Sequence, residues 1–131
     1  MTRPPAGLVD TSVFIARESG RPLDEDAVPV QVLVSIVTIA ELRAGVLIAA
    51  RGEQTARRLA SLEAARRTTP LLIDDGVAEQ WARLRMTLRR SGRRMQVNDA
   101  WIASTALAHG LPVVSQDRDY DGIPGLAVVR V

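Results

Sequence analysis

The chain predicts an α/β fold in which a parallel sheet is covered by helices on both faces. Three observations lead there: short apolar runs rich in valine, helix-length segments alternating with them, and short connections between the two. A strand that is apolar on both faces needs a helix on each side, which alternating order supplies. The 131 residues suit one domain, 1–131, large enough to bury roughly two thirds of its unfolded surface without covalent staples.

Ala6 to Val9 reads as the first strand and ends at Asp10. Thr11 and Ser12 then offer capping hydroxyls for a brief helix through Ile15 and Ala16. Ser19 to Pro29 is a polar loop, with Gly20, Pro22 and Pro29 around Asp24-Glu25-Asp26. Val30 to Ser35 is a buried strand. Ile36 to Ala50 carries only Glu41 and Arg43 as charged residues, which predicts a largely buried helix. After Gly52, Glu53 to Arg67 is an arginine-rich amphipathic helix with Leu59 and Leu62 inward. Pro70 to Ile73 makes a short strand, and Asp74 or Asp75 caps a helix whose Val77, Trp81, Leu84 and Leu88 recur at helical spacing until Ser91-Gly92. Val97 to His109 is a second very apolar helix, stopped by Gly110, with His109 as a capping side chain. Trp81 and Trp101 fall on apolar helical faces and read as core. Leu111 to Ser115 and Leu126 to Val131 are the last strands.

Composition removes several chemistries. There is no cysteine, so disulfides, thiolate zinc sites and thiol nucleophiles are out, as suits a reducing cytoplasm. All 17 residues counted as lysine or arginine are arginine, which excludes a phosphate-loop lysine and a Schiff-base amine. The Met1-Thr2-Arg3-Pro4-Pro5 start lacks a signal peptide's apolar core, and the longest charge-free run, Ala27 to Ala40, is shorter than the roughly 20 residues that cross a bilayer. The arginines cluster at 51–67 and 83–94, either as solvated helix faces or as a phosphate-binding track.

Four acidic residues stand at the ends of apolar segments: Asp10, Glu41, Asp99 and Asp117. Each alone has an ordinary explanation. Asp10 and Asp117 suit turns, Thr38-Ile39-Ala40-Glu41 suits a capping box, and Asp99 suits the first turn of a helix. Yet Asp10 and Asp117 follow strands, at the edge where ligands gather in parallel sheets. Glu41 faces Ala44, Gly45 and Ile48, and Asp99 shares a face with Ala103 and Ala106. Two like charges about 4 Å apart repel by about 4 kcal/mol at an effective dielectric near 20. A cluster of four therefore needs counter-charge, and an oxygen-only set favours Mg²⁺ or Mn²⁺ over zinc. Asp119 is the reserve for Asp117, and Ser12 and Ser115 are plausible supporting hydroxyls.

Taken together, Leu8-Val9-Asp10-Thr11-Ser12, Thr38-Ile39-Ala40-Glu41-Leu42, Asn98-Asp99-Ala100-Trp101-Ile102-Ala103 and Ser115-Gln116-Asp117-Arg118-Asp119-Tyr120-Asp121-Gly122-Ile123-Pro124-Gly125 resemble the PIN domain. The particular likeness is to VapC-type toxins of bacterial toxin–antitoxin pairs, and it covers nearly the whole chain. The resemblance implies a three-layer α/β/α, PIN-like fold with a five-stranded parallel sheet. It also implies a homodimer and a Mg²⁺- or Mn²⁺-dependent endonuclease acting on RNA, blocked by a cognate VapB-type antitoxin. On this likeness Asp10, Asp99 and Asp117 hold the principal metal, Glu41 completes the site or orients the water, and Asn98 and Ser12 brace ligands. Two rivals remain at this point. One is a non-catalytic RNA-binding or regulatory protein on the same scaffold, and the other a structure-specific DNA nuclease.

Overall fold

The computed structural model describes residues 3–49 and 51–131. Met1, Thr2 and Ala50, the expected end of the second helix, lie outside the described residues. The elements run β1 (Ala6–Val9), α1 (Thr11–Glu18), a 3-10 turn (Glu25–Ala27), β2 (Gln31–Leu33), α2 (Ile36–Ile48), α3 (Glu53–Arg66), α4 (Asp75–Ser91), α5 (Val97–His109), β3 (Val113–Ser115) and β4 (Val128–Arg130).

The sheet is parallel throughout, in the order β2-β1-β3-β4, with Gly7 opposite Val32, Leu8 opposite Val113, and Val114 opposite Val129. Successive strand residues face opposite sides, and both sides are covered. Leu8 and Val113 pack with Leu84, Leu88 and Ile102 of α4 and α5. Val9 and Val114 pack with Val13, Phe14, Leu42 and Leu62 of α1, α2 and α3. Gly7 is required by that density, since a Cβ there would stand 2.7 Å from Val114 Cγ2 and 2.9 Å from Pro29 Cγ. The chain leaves β1 for β2 on one side and reaches β3 on the other, so the switch point lies between β1 and β3.

Four expectations need correction. Of the run Val30–Ser35 only Gln31–Leu33 is strand, with Gln31 exposed and Val32 and Leu33 half-buried, and Val30 before it is 75% exposed. Pro70–Ile73 is not a strand: Leu71 alone makes a parallel bridge, to Ser35, so the described sheet has four strands rather than five. Proline has no N–H to give a ladder, Thr69 holds a positive φ of 51°, and Asp74 caps α4 at once by accepting from Val77 N. Helix α2 is buried only along Val37, Thr38, Ile39 and Leu42, while Leu47 and Ile48 are 85% and 78% exposed. Leu62 of α3 is inward, but Leu59 is exposed.

The other helices follow their patterns. Val77, Leu84 and Leu88 of α4 are buried, and Trp81 stacks on Trp101 of α5 with ring centroids 4.8 Å apart and planes 13° from parallel. Arg85 lies over the Trp81 ring at 5.2 Å. Gly92 and Gly110 end α4 and α5 in the left-handed conformation, with φ of 65° and 62°. Gly110 thus closes α5, and His109 is exposed with no bonded partner among the described residues. No helix among the described residues is long and apolar enough to cross a membrane.

Candidate active site

The ends of β1 and β3 and the starts of α1 and α5 meet the middle of α2 at the switch point. There Asp10, Glu41, Asp99, Asp117 and Asp119 line one cleft of 370 Å³, with Arg21 at its edge. The sequence places these acids up to 109 residues apart, and the topology brings all five to the carboxyl edge of the sheet.

Asp10 is only 3% exposed, and both of its oxygens are bonded. Oδ2 accepts from the Ser115 hydroxyl at 2.8 Å, and Oδ1 accepts from the Tyr120 hydroxyl at 3.1 Å. Its backbone N–H is tied to Val114 O of the neighbouring strand, at 2.9 Å. The Tyr120 hydroxyl also reaches Asp99 Oδ1, at 3.2 Å, so one proton is shared between two carboxylates. Burial first and the two carboxylate charges second push the Tyr120 hydroxyl's pKa well above its usual value. It stays protonated and can only act here as a donor.

Asp99 opens α5 at its positive end, yet its pKa is raised from 3.8 to about 6. Burial contributes most and the Asp10 charge next, against the lowering effect of the Tyr120 bond. Asp117 is raised too, by partial desolvation in the cleft first and then by Asp10 and Asp119, while Arg21 and Arg130 pull it down. The cleft thus holds more negative charge than its own arginines relieve.

Supporting hydroxyls are distributed unequally. Ser115 bonds Asp10 and accepts from Asp117 N at 2.9 Å, tying β1 to the loop that carries Asp117. Ser12 accepts from Gln116 N at 3.1 Å and sits 3.3 Å from Ser115 Oγ, so it supports Asp10 only through Ser115. Glu41 accepts from the Thr11 hydroxyl at 2.8 Å. That bond replaces the capping box: Thr38 is inside α2, and Ser35 caps the helix by accepting from Val37 N at 3.0 Å. Likewise Asp10, not Thr11 or Ser12, occupies the cap position of α1. Asn98 is exposed, bonds to none of these carboxylates among the described residues, and lines the neighbouring groove with Glu41.

Three contributors escape the sequence reading. Tyr120 is the largest fully buried side chain, and its only signal was a lone aromatic amid polar loop residues, the usual look of an anchor. Thr11 looked like a cap. Arg93, in the link between α4 and α5, donates to Asp119 O at 2.7 Å and to Asp121 O, so it holds the loop bearing Asp117, Asp119 and Tyr120. Nothing in its local sequence distinguishes it from its arginine neighbours.

A divalent cation fits this donor set in one specific way. No three Asp, Glu or His side chains among the described residues stand in a ready-made cluster around one ion. Asp10 and Asp99, however, present oxygens to the same hydroxyl. Mg²⁺ commonly takes one or two carboxylates and keeps its waters, so the cleft suits a hydrated ion rather than an all-protein cage.

Fold and cleft together define an α/β protein whose carboxylates converge outside the carboxyl edge of a doubly covered parallel sheet. The PIN-domain family model matches residues 7–126. The chain belongs to the PIN-domain family, in its VapC branch. It is 51% identical over 130 residues to ribonuclease VapC5 of Mycobacterium tuberculosis, covering 99% of this chain and 96% of the relative. It is 44% identical over 124 residues to ribonuclease VapC4 of the same species, covering 95% of each. Among solved structures, the crystal structure of VapBC-5, a member of the VapBC family of toxin–antitoxin systems from M. tuberculosis, superposes with a TM-score of 0.89. That match is at 47% identity and covers 98% of this chain and 100% of the other. FitAcB from Neisseria gonorrhoeae superposes with a TM-score of 0.72 at 28% identity, covering 93% and 95%.

Proposed function

We propose that this chain is a Mg²⁺- or Mn²⁺-dependent endoribonuclease, the VapC toxin of a VapBC-type pair, neutralised by a cognate VapB-type antitoxin. Its relatives' names, ribonuclease and member of a toxin–antitoxin system, support the class. The observation that carries the reading is the single Tyr120 hydroxyl shared by Asp10 and Asp99 in a cleft with three further carboxylates. A cap or turn carboxylate has no reason to be buried against another. The family's homodimer and a cytoplasmic setting belong to the same proposal.

In this reading Asp10, Asp99 and Asp117 hold the metal, with Asp119 in reserve for Asp117. When bound, the cation supplies a neutralising double charge and an acidified water positioned for in-line attack on phosphorus. The chain's own residues do the rest. Ser115 and Tyr120 fix the orientation of Asp10 by occupying one lone pair on each oxygen. Glu41, aimed by Thr11, completes the site or takes a proton from the attacking water. Arg93 and Ser115 hold both ends of the acidic loop against the sheet. The products are a 3′-hydroxyl and a 5′-phosphate.

Asp10→Asn and Asp99→Asn, assayed on RNA in Mg²⁺ with folding checked by circular dichroism, should be folded and inactive. A folded variant with undiminished cleavage would refute the site. RNA binding without turnover by the unaltered protein would favour a regulatory binder, and preference for DNA a DNA nuclease.

A further inference from the structure

Two passages leave the carboxylate cleft, and their linings differ in kind. On one side a hollow of 330 Å³ shares Gln96, Asp99 and Asp119 with the cleft and runs past Arg93, Arg94 and Arg118. Through Arg93, Arg94 and Met95 it continues into a trough of 530 Å³ walled by Arg85 and Arg89. On the other side a groove of 480 Å³ shares Ile15 and Glu41 with the cleft and is lined by Leu42, Gly45 and Ile48. The arginine on that side, Arg58, is engaged by Gly45 O at 2.6 Å and by Glu18 at 3.9 Å.

The arginines of the first passage are placed by simple geometry. Arg85 and Arg89 are about one turn apart on α4, about 6 Å along its axis, a repeat that suits successive phosphates. Gly92 ends the helix, and Arg93 and Arg94 follow in the link to α5. Arg93 is occupied by the carbonyls of Asp119 and Asp121 and so is a positioning residue. Among the described residues no carboxylate pairs with Arg85, Arg89, Arg94 or Arg118. Favourable placement at the negative end of α4 accounts for Arg89, but not for Arg94 or Arg118 beyond the helix. Water and counter-ions screen these exposed arginines, and a polyanion lying along the passage would displace those counter-ions.

We infer that this trough seats the phosphate backbone of one RNA strand on one side of the scissile bond, leaving the strand on the other side unheld. The inference rests on the endoribonuclease reading for its substrate, but its binding test does not need turnover.

The probe is a fluorescein-labelled, mixed-sequence single-stranded RNA of about 20 nucleotides, longer than the roughly 4 to 16 that one groove occupies. Anisotropy is read across a salt series with chelator present. Arg89→Ala/Arg94→Ala should weaken binding about tenfold and reduce the slope of log affinity on log salt by about 1.4, or about 0.7 for each phosphate no longer neutralised. Arg89→Lys/Arg94→Lys should recover most of the slope, and Arg66→Ala/Arg67→Ala at the end of α3 should change neither quantity. In Mg²⁺, trimming the RNA on one side of the cut should raise KM about tenfold with kcat held, and trimming the other side should do nothing. That asymmetry should vanish in Arg89→Ala/Arg94→Ala. An unchanged slope in that variant, or an equal loss in the α3 control, overturns the trough. If RNA binds through the trough but is never cut, the nuclease reading falls and the trough stands. If RNA is cut but the slope is unchanged, the reverse holds.

Discussion

Asp10 and Asp117 each follow a strand of the same sheet, β1 and β3, yet their surroundings are opposite. Asp10 is 3% exposed and bonded at both oxygens, whereas Asp117 is exposed and its carboxylate accepts no bond among the described residues. Asp99 belongs to the first half through the shared tyrosine, and Asp119 to the second. One half of the cleft therefore has its carboxylates set before any ligand arrives, and in the other the backbone is held while the carboxylates are left to rotate. Pre-set groups lose little entropy on ligation, while adjustable ones must be ordered at that moment.

The largest expected effect follows directly. Asp10→Asn should lower kcat by about 10³-fold or more, since the charge stabilisation at a metal site is worth several kcal/mol. Asp117→Asn should cost only about tenfold, with Asp119 taking its place. Equal losses in single-turnover cleavage would erase the distinction between the halves. Next, Tyr120→Phe removes the hydroxyl bonded to Asp10 and Asp99 and should cost roughly 10 to 100-fold in activity, as supporting residues do at metal sites. It should also change the metal-free protein's stability in urea by about 1–3 kcal/mol, the cost of an orphaned buried acceptor.

A third test uses acidity. The Asp99 pKa is raised to about 6 from an unfolded value near 3.8, so the folded chain binds that proton more tightly than the unfolded chain. Its contribution to stability is fully present below about 3.8 and is lost as pH rises through about 6. The metal-free protein should accordingly show a falling melting temperature between those values, and Asp99→Asn should flatten the trend. Adding Mg²⁺ above that range should restore stability by an amount that grows with the logarithm of its concentration once that exceeds Kd, and chelator should remove the gain. The smallest effect belongs to Thr11→Val, which frees Glu41 from one hydroxyl. A few-fold loss in kcat, with KM unchanged, would place Glu41 between the two halves.

How far the sequence could be read depended on how local the signal was. Strands β1 and β3 announce themselves by short apolar runs, and α4 by Val77, Leu84 and Leu88 at helical spacing, because burial imposes a period on neighbours. Asp10, Asp99 and Asp117 were visible because each stands where an element begins or ends, and Glu41 because it is one of two charges on an otherwise apolar helix. Pro70–Ile73 looked like a strand by composition, but its pairing depended on backbone dihedrals at Thr69. The run ending at Leu47 and Ile48 looked buried because apolarity says what can be covered, not what is. Tyr120 and Arg93 were missed for another reason: their partners lie 110 and 26 residues away, and a bond across that separation leaves no local pattern.

The chain's two tryptophans are the pair stacked between α4 and α5, with Arg85 above one of them. Two indoles so close couple optically, and excitation at the red edge, where tyrosine does not absorb, addresses only this pair. The protein thus carries its own unlabelled fluorophore beside the arginine wall, and a spectral change on adding a polyanion would register occupancy within an arm's length of Arg85.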